Sequence, residues 1–112
     1  MKGIPFQNID WKGIEKVTHK GESGNAYWQT VQLGGLRIRI VEYSPGYLAD
    51  HWCQKGHLIH CLEGELTTEL STGEKIITTK GNSWIVSDEL SSHRSTSKTG
   101  VKLLIADGDF LK

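Results

Sequence analysis

SPGYLADHWCQKGHLIHCLEGE, residues 44–65, holds three of the five histidines and both cysteines of this 112-residue chain. Side chains two apart on a strand share a face, so His51 and Cys53 project together while Asp50 and Trp52 project away. Gln54, Lys55 and Gly56 read as a short turn, with Gly56 free to take positive φ. Pairing Cys53 with His57 across that turn sets His51 opposite Ile59 and Cys61 opposite Ala49, all on one face. Imidazole and thiolate donors gathered this closely point to a metal-binding β-domain.

The rest of the chain agrees with an all-β reading. Ala26 to Leu33 and Leu36 to Tyr43 flank the turn-forming pair Gly34-Gly35. The second of these runs alternates, with Leu36, Ile38 and Ile40 on one face and Arg37 and Arg39 on the other. Gly46, Gly56, Gly64, Gly73 and Gly81 then recur every eight to ten residues between short strand-like runs, a spacing typical of sandwiches and barrels. Glu74 to Thr79, Asn82 to Ser87, His93 to Ser97 and Val101 to Asp107 are expected strands, with a loop over Asp88 to Ser92. Ile14 to His19 is strand-like, and Pro5 limits the N-terminal stretch to an edge. No segment carries a sustained helical period, and 112 residues suit one domain, 1–112.

With 13 basic and 13 acidic residues the net charge is zero, which argues against nucleic acid or an anionic membrane as partner. No apolar run resembles a leader or a membrane span, so a cytoplasmic protein is expected. In that compartment Cys53 and Cys61 are reduced thiols rather than a disulfide.

The chain resembles the cupin superfamily of small jelly-roll β-barrels. The first cupin motif runs from a Pro-Gly pair through HxHxxxE to an LEGE-type turn. Here Pro45-Gly46 opens it, His51 and Cys53 fill the HxH pair, His57 stands at the Glu position and Leu62-Glu63-Gly64-Glu65 closes it. Gly81-Asn82 begins the second motif and His93 ends it, with one extra residue between and without the usual Pro. Within that superfamily the chain resembles small single-domain cupins with a DHWC-like first motif. The resemblance implies a single-domain jelly-roll barrel, a homodimer through the N-terminal strands and outer sheet, and a divalent metal held by His51, Cys53, His57 and His93. Exchanging carboxylate for thiolate shifts preference from Mn and Mg toward softer ions, with zinc the first expectation and iron(II) the second. A three-histidine site without Cys53 is the weaker form of the same reading.

Other residues carry double readings. Trp28, Trp52, Trp84, Tyr43 and Tyr47 could line a pocket for a small molecule, or simply pack. Arg37 and Arg39 facing a cavity would hold a carboxylate or phosphate, although a solvated outer face is expected. Asp50 and Asp88 could orient ligand histidines. His60 points away from the site, His19 has no evident partner, and Cys61 faces inward to pack. No general base separate from the ligands stands out. The functional expectation is therefore a metal-binding barrel that acts on a small organic substrate, or alternatively a non-catalytic sensing barrel or a structural zinc site.

Overall fold

The computed structural model describes residues 3–112 of the chain. Nine strands follow in order: β1 Val17–Lys20, β2 Asn25–Leu33, β3 Leu36–Tyr43, β4 Tyr47–Leu48, β5 His57–Leu70, β6 Lys75–Thr79, β7 Ser83–Val86, β8 His93–Ser97 and β9 Val101–Gly108. Two short 3-10 turns, Trp11–Gly13 and Asp109–Leu111, flank them. The sheet order is β1-β2-β3-β9-β5-β8-β4, with β6 and β7 also paired to β5, and every pairing is antiparallel. The sheet curls as an all-β jelly-roll.

β5 is the element that closes the structure. Its first half, His57 to Gly64, pairs with β7 and β9, while its second half, Glu65 to Leu70, pairs with β6 and β8. The strand changes partners at a bulge between Cys61 and Glu63. Gly64, at φ 82°, follows at once, and a Cβ there would collide with the Gly100 carbonyl oxygen. The sequence pattern marks Gly64 as a break between strands. Instead it lies inside one 14-residue strand, because a bulge re-aims a strand without ending it.

Inward positions of the central strands form the core: Val41 on β3, Ile59, Cys61 and Leu66 on β5, and Val101, Leu103 and Ile105 on β9. Cys61 has no exposed surface, and both cysteines are free. The alternation along β3 runs opposite to expectation. Arg39 and Val41 are buried, whereas Leu36, Ile38 and Ile40 are only half-buried on the outer side. A solvated outer face for Arg37 and Arg39 is therefore corrected: these side chains point into the barrel, where a buried carboxylate receives them.

Candidate metal centre

The expected tight hairpin over residues 49–61 does not form. The edge it needs on β5 is taken by β7, which pairs His57 with Val86 and Ile59 with Trp84. The segment from Asp50 to Gly56 instead runs as a loop tied to β8 and to the loop after β7. Cys53 and His93 exchange both backbone hydrogen bonds, at 2.8 and 2.9 Å. Glu89 N–H donates to the Gln54 carbonyl at 2.8 Å, and Gly56 N–H donates to Asp88 Oδ1 at 2.7 Å. Gly56 does not take positive φ. Glycine is required there because a Cβ would strike the Val86 carbonyl oxygen.

This anchoring brings Cys53, His57 and His93 together, with one donor atom of each within 4.8 Å of the others. Cys53 Sγ lies 3.6 Å from His57 Nε2. The His57 and His93 rings meet edge-on at 5.4 Å between centroids. His57 and His93 are buried and Cys53 is partly exposed. His51 stands apart from these three. It lines the same cavity, but its side chain is 73% exposed and its Nδ1 is 2.6 Å from Asp50 Oδ1. Asp50 thus holds His51, as a carboxylate oriented toward a candidate ligand would, while Asp88 holds the loop.

Beneath the three donors sits a residue that the sequence reading passed over. Asp107, at the end of β9, is 1% exposed. Its Oδ2 is 2.8 Å from His57 Nδ1. Arg37 donates to both of its oxygens at 2.8 Å, and Arg39 Nη2 donates to Oδ2 at 3.1 Å. The signal was available: Val101, Leu103, Ile105 and Asp107 share one face of a strict alternation, so a carboxylate stands at the end of a wholly buried row.

These contacts shift charge states. Hydrogen bonds from His57 and then His93 hold the Cys53 thiol down at about 5, against an ordinary value of 9.0. Burial disfavours charge on His57, but its bonds to Asp107 and Cys53 outweigh that and raise it. Burial likewise opposes ionisation of Asp107, yet His57 and Arg37 hold it well below the usual carboxylate range. Cys53, His57 and Asp107 therefore form one hydrogen-bonded chain of thiol, imidazole and carboxylate.

The donors open into a cavity of about 220 Å³, walled by Trp28, Tyr43 and Tyr47. Tyr43 and Tyr47 stack with centroids 4.1 Å apart, and the Arg39 guanidinium lies 4.4 Å from the Trp28 ring centre. Trp84 faces a second cavity of about 180 Å³ on which His93 also borders. There Thr68 Oγ1, Trp84 Nε1 and His93 Nδ1 are buried without a hydrogen-bond partner. Trp52 is 42% exposed and lies under Arg94 at 5.3 Å. His19 has a partner after all, stacking on Trp28 at 3.8 Å, and His60 bonds Ser83 at 2.7 Å.

Comparison with solved structures places this architecture. A polyketide cyclase from Streptomyces resistomycificus superposes with a TM-score of 0.77 at 12% identity, covering 93% of this chain and 80% of its own. A protein of Thermotoga maritima described as a predicted oxalate decarboxylase gives 0.76 at 12% identity, covering 89% and 96%. An RmlC-like cupin from Shewanella frigidimarina gives 0.67 at 18% identity over 96% and 91%. The fold is that of the cupins. No protein-family model matches the sequence, and no curated protein matches it. At these identities the cupin likeness establishes the fold alone. Among the described residues no helix is long and apolar enough to cross a membrane.

The cupin barrel accounts for how the site is built. β5 supplies His57 from its first residue, β8 supplies His93 from its first residue, and the loop before β5 supplies Cys53. All three lie where strands emerge at one end, so the donors are fixed by paired backbone and still reach the cavity.

Proposed function

We propose that this cupin binds a divalent metal through Cys53, His57 and His93, with the expected ligand His51 standing apart at the mouth of the cavity, and acts on a small organic molecule held beside it. The observation that carries the reading is the 3.6 Å separation of Cys53 Sγ and His57 Nε2. Bonds of about 2.3 Å to sulfur and about 2.0 Å to nitrogen at a tetrahedral angle imply an S···N edge of about 3.5 Å. Two donors thus already sit at ligand spacing. Asp107 on His57 Nδ1 supports the same reading, because a ligating histidine commonly gives its other ring N–H to a carboxylate. This fixes the tautomer that leaves Nε2 free to ligate.

Zinc is the first choice and iron(II) the second, since the donor set is nitrogen and sulfur without an oxygen ligand. When bound, such an ion supplies Lewis acidity to an oxygen of the substrate. The chain's own residues do the remainder: Asp107 holds His57, and Trp28, Tyr43 and Tyr47 exclude water from one side of the cavity. With His51 outside the cluster, a position remains open toward the cavity, which favours a reactive or ligand-exchanging site over a closed structural one. The cupin neighbours, described as a cyclase and a predicted decarboxylase among others, span too many reactions to choose one.

A second reading has its own support. The Cys53–His57–Asp107 chain has the order of a thiolate nucleophile, its imidazole partner and an orienting carboxylate. Elemental analysis of purified protein and of Cys53→Ala separates the two. Near-stoichiometric metal that drops in the variant supports the metal centre. Metal-free protein after anaerobic loading with zinc and iron overturns it and leaves the nucleophile.

Two further expectations remain proposals. A reducing cytoplasm suits the free thiols. Pairing of two copies suits an apolar row on the outer face, where register aligns Ile85, Leu58, Ala106, Ile38 and Val31 across five strands.

A further inference from the structure

The cavity beside the candidate metal centre is lined by four permanent cations, Arg37, Arg39, Lys55 and Arg94, and among its lining residues there is no Asp or Glu. Arg94 has outlets in Glu22 at 3.7 Å and Glu69 at 3.8 Å. Arg94 Nε is also buried without a partner, but two carboxylates face that guanidinium and its side chain is 26% exposed, whereas Arg39 has no carboxylate of its own. It is 4% exposed, and its carboxylate partner, Asp107, is shared. Asp107 Oδ2 already receives Arg37 at 2.8 Å and His57 at 2.8 Å before Arg39 at 3.1 Å. That oxygen has no further capacity, and one carboxylate cannot neutralise two guanidiniums. Arg39 Nε is correspondingly buried without a partner. Burying an under-compensated charge is costly, and an anion entering the cavity would relieve the cost.

We propose that this cavity selects a small organic carboxylate, with Arg39 as the group that receives the carboxylate and Trp28, Tyr43 and Tyr47 enclosing the apolar body of the ligand. The inference rests on reading the cavity as the substrate chamber of the metal centre, and it names the substrate class for that chamber. A carboxylate fits better than phosphate for a geometric reason: the planar guanidinium lying against Trp28 presents its free donors in one plane, matching a planar acceptor.

Calorimetry on the full chain, with metal content measured on every sample, tests this with acetate, succinate and benzoate, each paired with its amide, and with inorganic phosphate. At least one carboxylate should bind wild-type protein tenfold or more tighter than its own amide, and Arg39→Gln should abolish that preference without weakening the amide. Equal binding of every acid and amide by wild type, or tighter binding of phosphate than of all three acids, overturns the proposal. The wild-type comparison alone decides the matter if Arg39→Gln does not fold. Chelator-stripped protein separates the two readings. A tenfold preference in protein that takes up no metal keeps the carboxylate site while the metal centre fails, and stoichiometric metal without any preference does the reverse.

Discussion

Asp107 and His57, 50 residues apart in sequence, meet at 2.8 Å between Oδ2 and Nδ1, and this contact joins the candidate metal centre to buried Arg39 and half-buried Arg37. Asp107→Asn should remove the carboxylate that Arg37, Arg39 and His57 share. Breaking one partner of a buried charge cluster costs about 3–5 kcal/mol, which for a domain of this size lowers the melting midpoint by about 10 °C or more. Metal affinity should fall about 10–100-fold with it. A variant that melts within a degree or two of wild type would show that the cluster is electrostatically slack.

The same carboxylate sets an acid limit. Its folded value lies below the unfolded one, so its stabilisation is present above the ordinary carboxylate value of about 4 and is lost as pH falls below it. His57 shifts the other way. Its contribution is present below about 6.5 and fades as pH rises through its raised folded value. Wild-type stability in denaturant titrations should therefore drop below pH 4, and the Asp107→Asn curve should be flatter there. Parallel curves would assign the acid limit to other groups.

Much of the fold was legible because its rules are local. The alternation in β3 and β9, the turn at Gly34-Gly35 and the spacing of glycines need only neighbouring residues. The hairpin over residues 49–61 failed because strand pairing is a competition, and β7, twenty-odd residues downstream, holds the edge of β5. The positions of His57, Cys53 and His93 were readable as a motif, whereas the displacement of His51 depends on a loop fixed by Glu89, Asp88 and His93. Arg37 and Arg39 were placed outside because periodicity fixes two faces without saying which is inner. Asp107 decides that question, since it stands directly opposite Arg37 in register and at the end of a buried row.

The Cys53 thiol, held at about 5 by His57 and His93, should be a thiolate across the physiological range. In chelator-treated protein its iodoacetamide alkylation should rise through about pH 5, where a denatured control rises near pH 8.5. His57→Gln should move the midpoint upward, and added zinc should suppress the reaction by occupying the sulfur. Alkylation that follows the denatured profile would remove the thiolate from both functional readings.

The outer row from Ile85 to Val31 is the remaining feature with a direct test. Leu58 and Ile85 are opposite each other in register and are 37% and 63% exposed, next to half-buried Ala106 and Ile38. A contiguous apolar strip on the surface marks an interaction face. If two copies pair there, light scattering on purified protein should give twice the chain mass. Ile85→Lys should halve it, because an isologous contact places each substituted charge twice in the apolar interface. The metal donors lie on the opposite, inner side of the same sheet, so metal content should survive the substitution. A monomeric wild type would leave the strip without a second copy as its partner.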